Sequence, residues 1–144
     1  MEPALRSARD GDASALVTLW RDRVVRPWND PVRDIERALA QPQTALFVAE
    51  HEGRIVASVM AGDDGHRGWL YYVAVAPAWR DKGLGTRMVR HAEAWLAGRG
   101  VPKTEVLIRA ENAAVRSFYA TLGYQPAEVS VMARWLDGPP EERA

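Results

Sequence analysis

Hydrophobic positions change their period several times along the chain, and each change marks an element. The residues around Leu5 are strand-like, and Asp10-Gly11-Asp12 then offers carboxylates suited to capping a helix on which Leu16, Val17, Trp20 and Val24 recur. Pro27 interrupts that face. Asn29-Asp30-Pro31 predicts a fresh helix start, with Ile35, Ala38 and Leu39 on one side and Pro42 beyond the end. The runs at 44–50 and 54–61 predict two strands joined as a hairpin through His51-Glu52-Gly53. A polar loop from Gly62 to Gly68 leads into Trp69-Leu70-Tyr71-Tyr72-Val73-Ala74-Val75, a further strand closed by Pro77. From Leu84, the residues Met88, Val89, Ala92, Trp95 and Leu96 share one helical face, ended by Gly98 and Gly100. Val106-Leu107-Ile108 predicts a short strand, Asn112 to Leu122 a helix stopped by Gly123, and Val129 to Trp135 a final strand.

This order predicts an α/β fold with a mixed sheet. At 144 residues the chain suits one domain, expected over residues 1–137, with 138–144 a frayed tail. Nineteen basic residues balance nineteen acidic ones, so there is no bulk positive field to draw in nucleic acid or an anionic membrane. No apolar run approaches the ~18 residues of a membrane span, and the first residues lack the apolar core of a signal peptide. Cysteine is absent, which removes disulfides and thiolate chemistry and fits a reducing, cytoplasmic setting. His51, His66 and His91 are scattered without a helical His-x-x-x-His pair, so no metal is expected.

The most informative segment is Arg80-Asp81-Lys82-Gly83-Leu84-Gly85-Thr86, which follows a buried-looking strand and opens a long amphipathic helix. The first N–H groups of a helix have no intrahelical partner, and the helix dipole adds positive charge there, so an anion is welcome. Gly83 and Gly85 let a phosphate approach the backbone, and Arg80 and Lys82 supply cations for a diphosphate. A dinucleotide fingerprint would need Gly or Ala at position 88, which is Met88, and no Gly-Lys-Ser/Thr triplet exists. Without context the same residues read as a surface turn.

Arg80-Asp81-Lys82-Gly83-Leu84-Gly85, preceded by Tyr72-Val73-Ala74-Val75 and Ala76-Pro77, resembles the Arg/Gln-x-x-Gly-x-Gly/Ala signature of the GNAT N-acetyltransferases. Downstream, the run from Asn112 through Phe118-Tyr119 to Gly123-Tyr124 is similar to that family's second motif. The Asp-Gly-His-Arg-Gly loop at 64–68 looks like the YpeA-like branch. The resemblance implies the GNAT acyl-CoA N-acyltransferase fold, a mixed central sheet flanked by about four helices. It also implies acetyl-CoA as cosubstrate, held by backbone amides from Lys82 to Thr86, with the strand at Val73, Ala74 and Val75 pairing with the pantetheine arm. Arg80 and Asp81 complete that turn, Asn112 contacts the coenzyme, and Tyr119 lies near its sulfur. The acceptor implied is an amine on a small molecule or a protein, and a homodimer is left open.

Transfer to an amine needs oxyanion stabilisation, a proton for the departing thiolate and a neutral nucleophile. The resemblance gives the first task to the Val73 N–H and the second to Tyr119. From the residues alone, Val115, Phe118, Tyr119 and Leu122 also make an ordinary packing stripe, and Asn112 an ordinary N-cap. No base stands out: where some family members carry glutamate, five residues before Asn112, this chain has Leu107, which leaves Asp63, Asp64, His66 or water. Tyr71 and Tyr72 should point to opposite faces of their strand. Trp20, Trp28 and residues near Ser130 are candidates for an acceptor wall, although six tryptophans also serve simply as core. The rival to an enzyme is a coenzyme A-binding sensor that retains the phosphate turn without turnover.

Overall fold

The sheet grows from one tight hairpin. Its strands are β1 (Ala4–Ser7), β2 (Thr44–His51), β3 (Arg54–Asp63), β4 (Gly68–Val75) and β5 (Thr104–Val106), hydrogen-bonded in that order. Glu52 and Gly53 take φ of 50° and 76°, the left-handed pair that a two-residue turn needs to match the twist of its strands, and β2 folds back on β3 from His51↔Arg54. Neighbours are antiparallel except β4 and β5, which run parallel, so the sheet is mixed, as the sequence pattern predicts. The computed structural model describes residues 2–21 and 26–138, and these fall into two compact units, Met1–Leu107 and Ile108–Ala144.

In the first unit, helices α1 (Ala13–Trp20) and α2 (Pro31–Ala40) cover one face of the sheet and α3 (Leu84–Gly98) the other. Leu16, Trp20, Ile35 and Ala38 join Leu46, Val48, Met60 and Ala74 in one cluster. Alternation sends Phe47 to the opposite face, where it meets His91 of α3 edge-on at 4.6 Å. Burial on both faces is why β2 and β3 read as unbroken apolar runs rather than as alternating strands. Asp30 caps α2 as expected, accepting from Arg33 N–H at 3.1 Å ahead of Pro31.

Asp12 departs from its expected capping role. Residues 10–12 form a 3-10 turn, and the Asp12 carboxylate accepts from the Arg6 guanidinium at 2.8 and 2.9 Å and from Arg9 N–H at 2.9 Å. Arg6 also donates to Glu50 at 2.8 Å, so its guanidinium staples β1 to the turn before α1 through Asp12 and to β2 through Glu50. The Arg6 hydrogen bond, against an opposing burial cost, holds the Asp12 carboxyl below its ordinary range. A depressed native pKa contributes stability that is present above the unfolded value near 4 and is lost as pH falls through the native value. The thermal midpoint should therefore hold above about pH 5 and fall below about pH 4. Asp12→Asn should make that acid fall shallower; an unchanged slope by circular dichroism would show that the staple contributes nothing to it.

Two elements differ from the sequence reading. Val24 lies outside the described residues. Strand β5 covers Thr104–Val106 rather than Val106–Ile108, since only Thr104, Glu105 and Val106 find partners on β4. The final strand expected over Val129–Trp135 is absent from the described residues. Among the described residues the second unit holds α4 (Ala113–Thr121) and no strand, and Val129 and Met132 are 77% and 94% exposed. β-propensity supplies side chains that suit a sheet, but a strand also needs a neighbouring ladder.

Candidate functional site

Strand β4 is bent by a bulge. Met60 faces Tyr71 and Ser58 faces Ala74, so Tyr72 and Val73 together oppose Val59, and neither is paired in the β3 ladder. Tyr72 takes φ of +52°, the left-handed region that aromatic residues avoid, and contacts fix it there from several sides. Its carbonyl accepts from the Ser58 hydroxyl at 2.7 Å. Its ring stacks on Trp20 at 3.9 Å and 17°. Its hydroxyl donates to Asp34 Oδ2 at 2.6 Å. Burial first and the Asp34 carboxylate second push the Tyr72 phenol well above its ordinary range, so it stays protonated and does not act as a base. Tyr71 is exposed and lies opposite Met60, and Tyr72 packs against the cluster that contains Met60, so the bulge overrides the alternation that would have sent the two tyrosines to opposite faces.

Past the bulge the outer edge of the strand opens. β5 pairs only with Gly68, Trp69 and Leu70, so from Tyr71 to Val75 that edge has no strand partner among the described residues. Arg80 Nε donates to Val75 O at 3.0 Å, which ties the end of the strand to the turn that follows. A 3-10 turn at Pro77–Trp79 leads to Asp81 and Gly83 at φ 61° and 82°. Helix α3 then begins with no side-chain cap. The bond from Arg87 N–H to Gly83 O at 3.1 Å leaves the amides of Leu84, Gly85 and Thr86 ahead of the intrahelical ladder. The Lys82 ammonium lies 5.6 Å from the Trp79 ring centre. Trp79, Lys82, Leu84 and Arg87 line a cavity of 180 Å³ with Glu2 and Pro3, and both Arg87 terminal nitrogens donate to Pro3 O at 3.2 Å.

This donor set fits a diphosphate. First-turn amides, a cationic side chain and a glycine with nothing within 4 Å of its absent Cβ leave room and hydrogen bonds for an anion. The expected residues Val73, Ala74, Val75, Arg80, Asp81, Lys82, Gly83, Leu84, Gly85 and Thr86 thus form one continuous stretch, from the bulge to the first turn of α3. Leu84 is buried and contributes its backbone alone.

In the second unit, Asn112 caps α4, its side-chain oxygen accepting from Val115 N–H at 3.1 Å. Tyr119 is buried, its ring edge-on to Phe118 at 5.0 Å and to Tyr124 at 5.2 Å. The two carboxylates among the candidates for the base have partners of their own. Asp63 accepts from Gly65 N–H and Arg99 Nε; Asp64 accepts from His66 N–H, Arg67 N–H and Trp69 Nε1. Backbone N–H donors, with Arg99 added at Asp63, hold both carboxyls below their ordinary range. Asp63 ends β3 opposite Gly68, which is about 16 Å from Val73 along β4 at ~3.3 Å per residue, and Asp64 and His66 lie in the turn between the strands. Asp63 and Asp64 therefore serve as acceptors that build the β3–β4 turn, with His66 within it. Trp20 is fully buried and forms core instead of an acceptor wall. The sequence reading missed Ser58, whose signal was a serine inside the apolar run Ile55 to Met60.

A mixed sheet covered on both faces, with a bulged strand opening beside an uncapped helix, defines the acyl-CoA N-acyltransferase architecture. The chain matches the acetyltransferase (GNAT) family over residues 13–124 and belongs to that family. It is 41% identical to an acetyltransferase of Pectobacterium atrosepticum, across 92% of this chain and 94% of that one. It is 42% identical to an acetyltransferase of Sodalis glossinidius, across 84% and 86%. An aminoglycoside N-acetyltransferase solved in complex with CoA shares the fold at a TM-score of 0.80 and 18% identity, covering 92% of this chain and 94% of that one. The protein is an acetyltransferase. Among the described residues no helix is long and apolar enough to cross a membrane.

Proposed function

We propose that this acetyltransferase passes the acetyl group of acetyl-CoA directly to a primary amine, with residues 1–137 acting as one catalytic domain. The observation that carries the reading is the open edge of β4 at Val73–Val75, continuous with the uncapped start of α3. One segment can thereby hold an extended amide-bearing arm and the diphosphate attached to it. Acetyl-CoA supplies an activated thioester, and the chain's own groups do the rest. The Val73 N–H donates to the carbonyl oxygen as negative charge develops on it. The amine nitrogen bonds to the carbonyl carbon, the carbon–sulfur bond breaks, the Tyr119 hydroxyl protonates the departing thiolate, and water takes the proton lost by the amine. No cysteine is present to carry an acetyl group between the two substrates, which supports direct transfer. Asn112 contacts the coenzyme while capping its helix.

The test is release of free coenzyme A thiol from acetyl-CoA in the presence of a panel of small amines, polyamines and amino-terminal peptides. Amine-dependent release supports the reading; tight acetyl-CoA binding with no release across the panel would overturn it. Tyr119→Phe removes one hydroxyl from a ring already held by packing, so kcat should fall about 10- to 100-fold while the acetyl-CoA dissociation constant stays within about threefold. Unchanged turnover would take the acid role from Tyr119.

A further inference from the structure

Two fully buried polar side chains stand behind the peptide group that joins Tyr72 to Val73. The Trp20 indole N–H donates to Ser58 Oγ at 2.8 Å, and the Ser58 hydroxyl donates to the Tyr72 carbonyl at 2.7 Å. Trp20 and Ser58 are both 0% exposed. That carbonyl and the Val73 N–H are the two ends of one planar, conjugated amide. Whatever orients the carbonyl therefore orients the N–H, and a hydrogen bond accepted at oxygen draws density from nitrogen and makes its proton a better donor.

We propose that Trp20 and Ser58 are positioning residues for acetyl transfer, a relay of hydrogen bonds that aims and polarises the Val73 N–H toward the thioester carbonyl. The inference rests on the reading of Val73 as the oxyanion donor. Satisfying the bulge's carbonyl would by itself need only the serine. Here the serine receives a second hydrogen bond from an indole that simultaneously stacks on the Tyr72 ring, and Asp34 fixes the far end of that ring. The carbonyl, the ring and the hydroxyl of one residue are all held, at a backbone angle of +52° that has no local reason to exist. The product of that restraint is a single fixed amide outside the β3 ladder. Hydrogen bonds in a chain within a low-dielectric core strengthen one another, and an oxyanion donor is effective when it needs no reorganisation as charge develops.

Deleting an oxyanion donor outright lowers rates about 100- to 1000-fold, so weakening one from behind should lower kcat by about tenfold. The experiment is isotope-edited infrared spectroscopy of acetyl-CoA, labelled with carbon-13 at the thioester carbonyl and bound to the full chain without acceptor. In the wild type the carbonyl stretch should lie below its value in water. The displacement should shrink in Ser58→Ala, with Ser58→Cys, a weaker donor of similar size, in between. Trp20→Phe keeps the stacked ring, removes the indole N–H and should also shrink it. Acetyl-CoA affinity should stay within about threefold, with the loss appearing in kcat rather than KM. A band unmoved in both Ser58→Ala and Trp20→Phe, with acetyl-CoA bound, would overturn the relay even if stability fell, since a purely structural role leaves the carbonyl untouched. A wild-type band already at its aqueous position would instead overturn the Val73 assignment, and the relay with it.

Discussion

Trp20→Ala should lower the folding stability by about 3–5 kcal/mol, read as a fall in the urea midpoint at unchanged slope. The side chain is fully buried among Leu16, Ile35, Val48 and Met60, so truncation leaves a cavity that rigid neighbours on the sheet and two helices cannot fill. Ser58 loses the donor to its oxygen, and Tyr72 loses the ring against which it stacks at 3.9 Å. Small domains carry about 5–15 kcal/mol in total, so this one substitution removes a large part of the margin. Trp20→Phe, which keeps an aromatic ring on Tyr72, should cost no more than about half as much. A loss below about 1 kcal/mol for Trp20→Ala would mean that α1 is not anchored to the sheet through this residue.

What the sequence could disclose followed from how local each cause is. The hairpin at Glu52-Gly53 and the face of α3 were legible because turn chemistry and helical period act within a few residues. The turn into α3 was legible for the same reason: Gly83, at φ 82°, determines its own backbone. The bulge was not. Its cause is Trp20, Asp34 and Ser58 converging on Tyr72 from 52, 38 and 14 positions away, the last two directly hydrogen-bonded, and no alternation rule predicts an aromatic residue at positive φ. The same distinction explains Asp63 and Asp64: read as isolated carboxylates near a strand they suggest a base, but their acceptor roles toward Gly65, His66 and Arg67 are ordinary turn bonds. Val129 to Trp135 misled in the opposite sense, since local propensity was strand-like and the described residues hold no strand paired with it.

Gly83→Val should weaken acetyl-CoA binding about 100-fold while costing the free protein only about 1–2 kcal/mol of stability. The two effects separate because they have different origins. At φ 82° a β-branched residue suffers the left-handed penalty, yet its Cβ would meet no protein atom within 4 Å, so folding feels strain without collision. The ligand feels more. Relief of that strain rotates the Gly83 peptide and withdraws the amides of Leu84, Gly85 and Thr86 from their common aim, and the added side chain occupies open space in front of them. Titration calorimetry with acetyl-CoA reads the loss, and the acetyl thioester of pantetheine provides the control. Lacking a diphosphate, that shorter substrate should be used by Gly83→Val and wild type with kcat/KM values within about threefold. Equal losses for both substrates would show that Gly83 supports the fold of the whole edge rather than the anion, and undiminished acetyl-CoA affinity would remove the turn from the binding site.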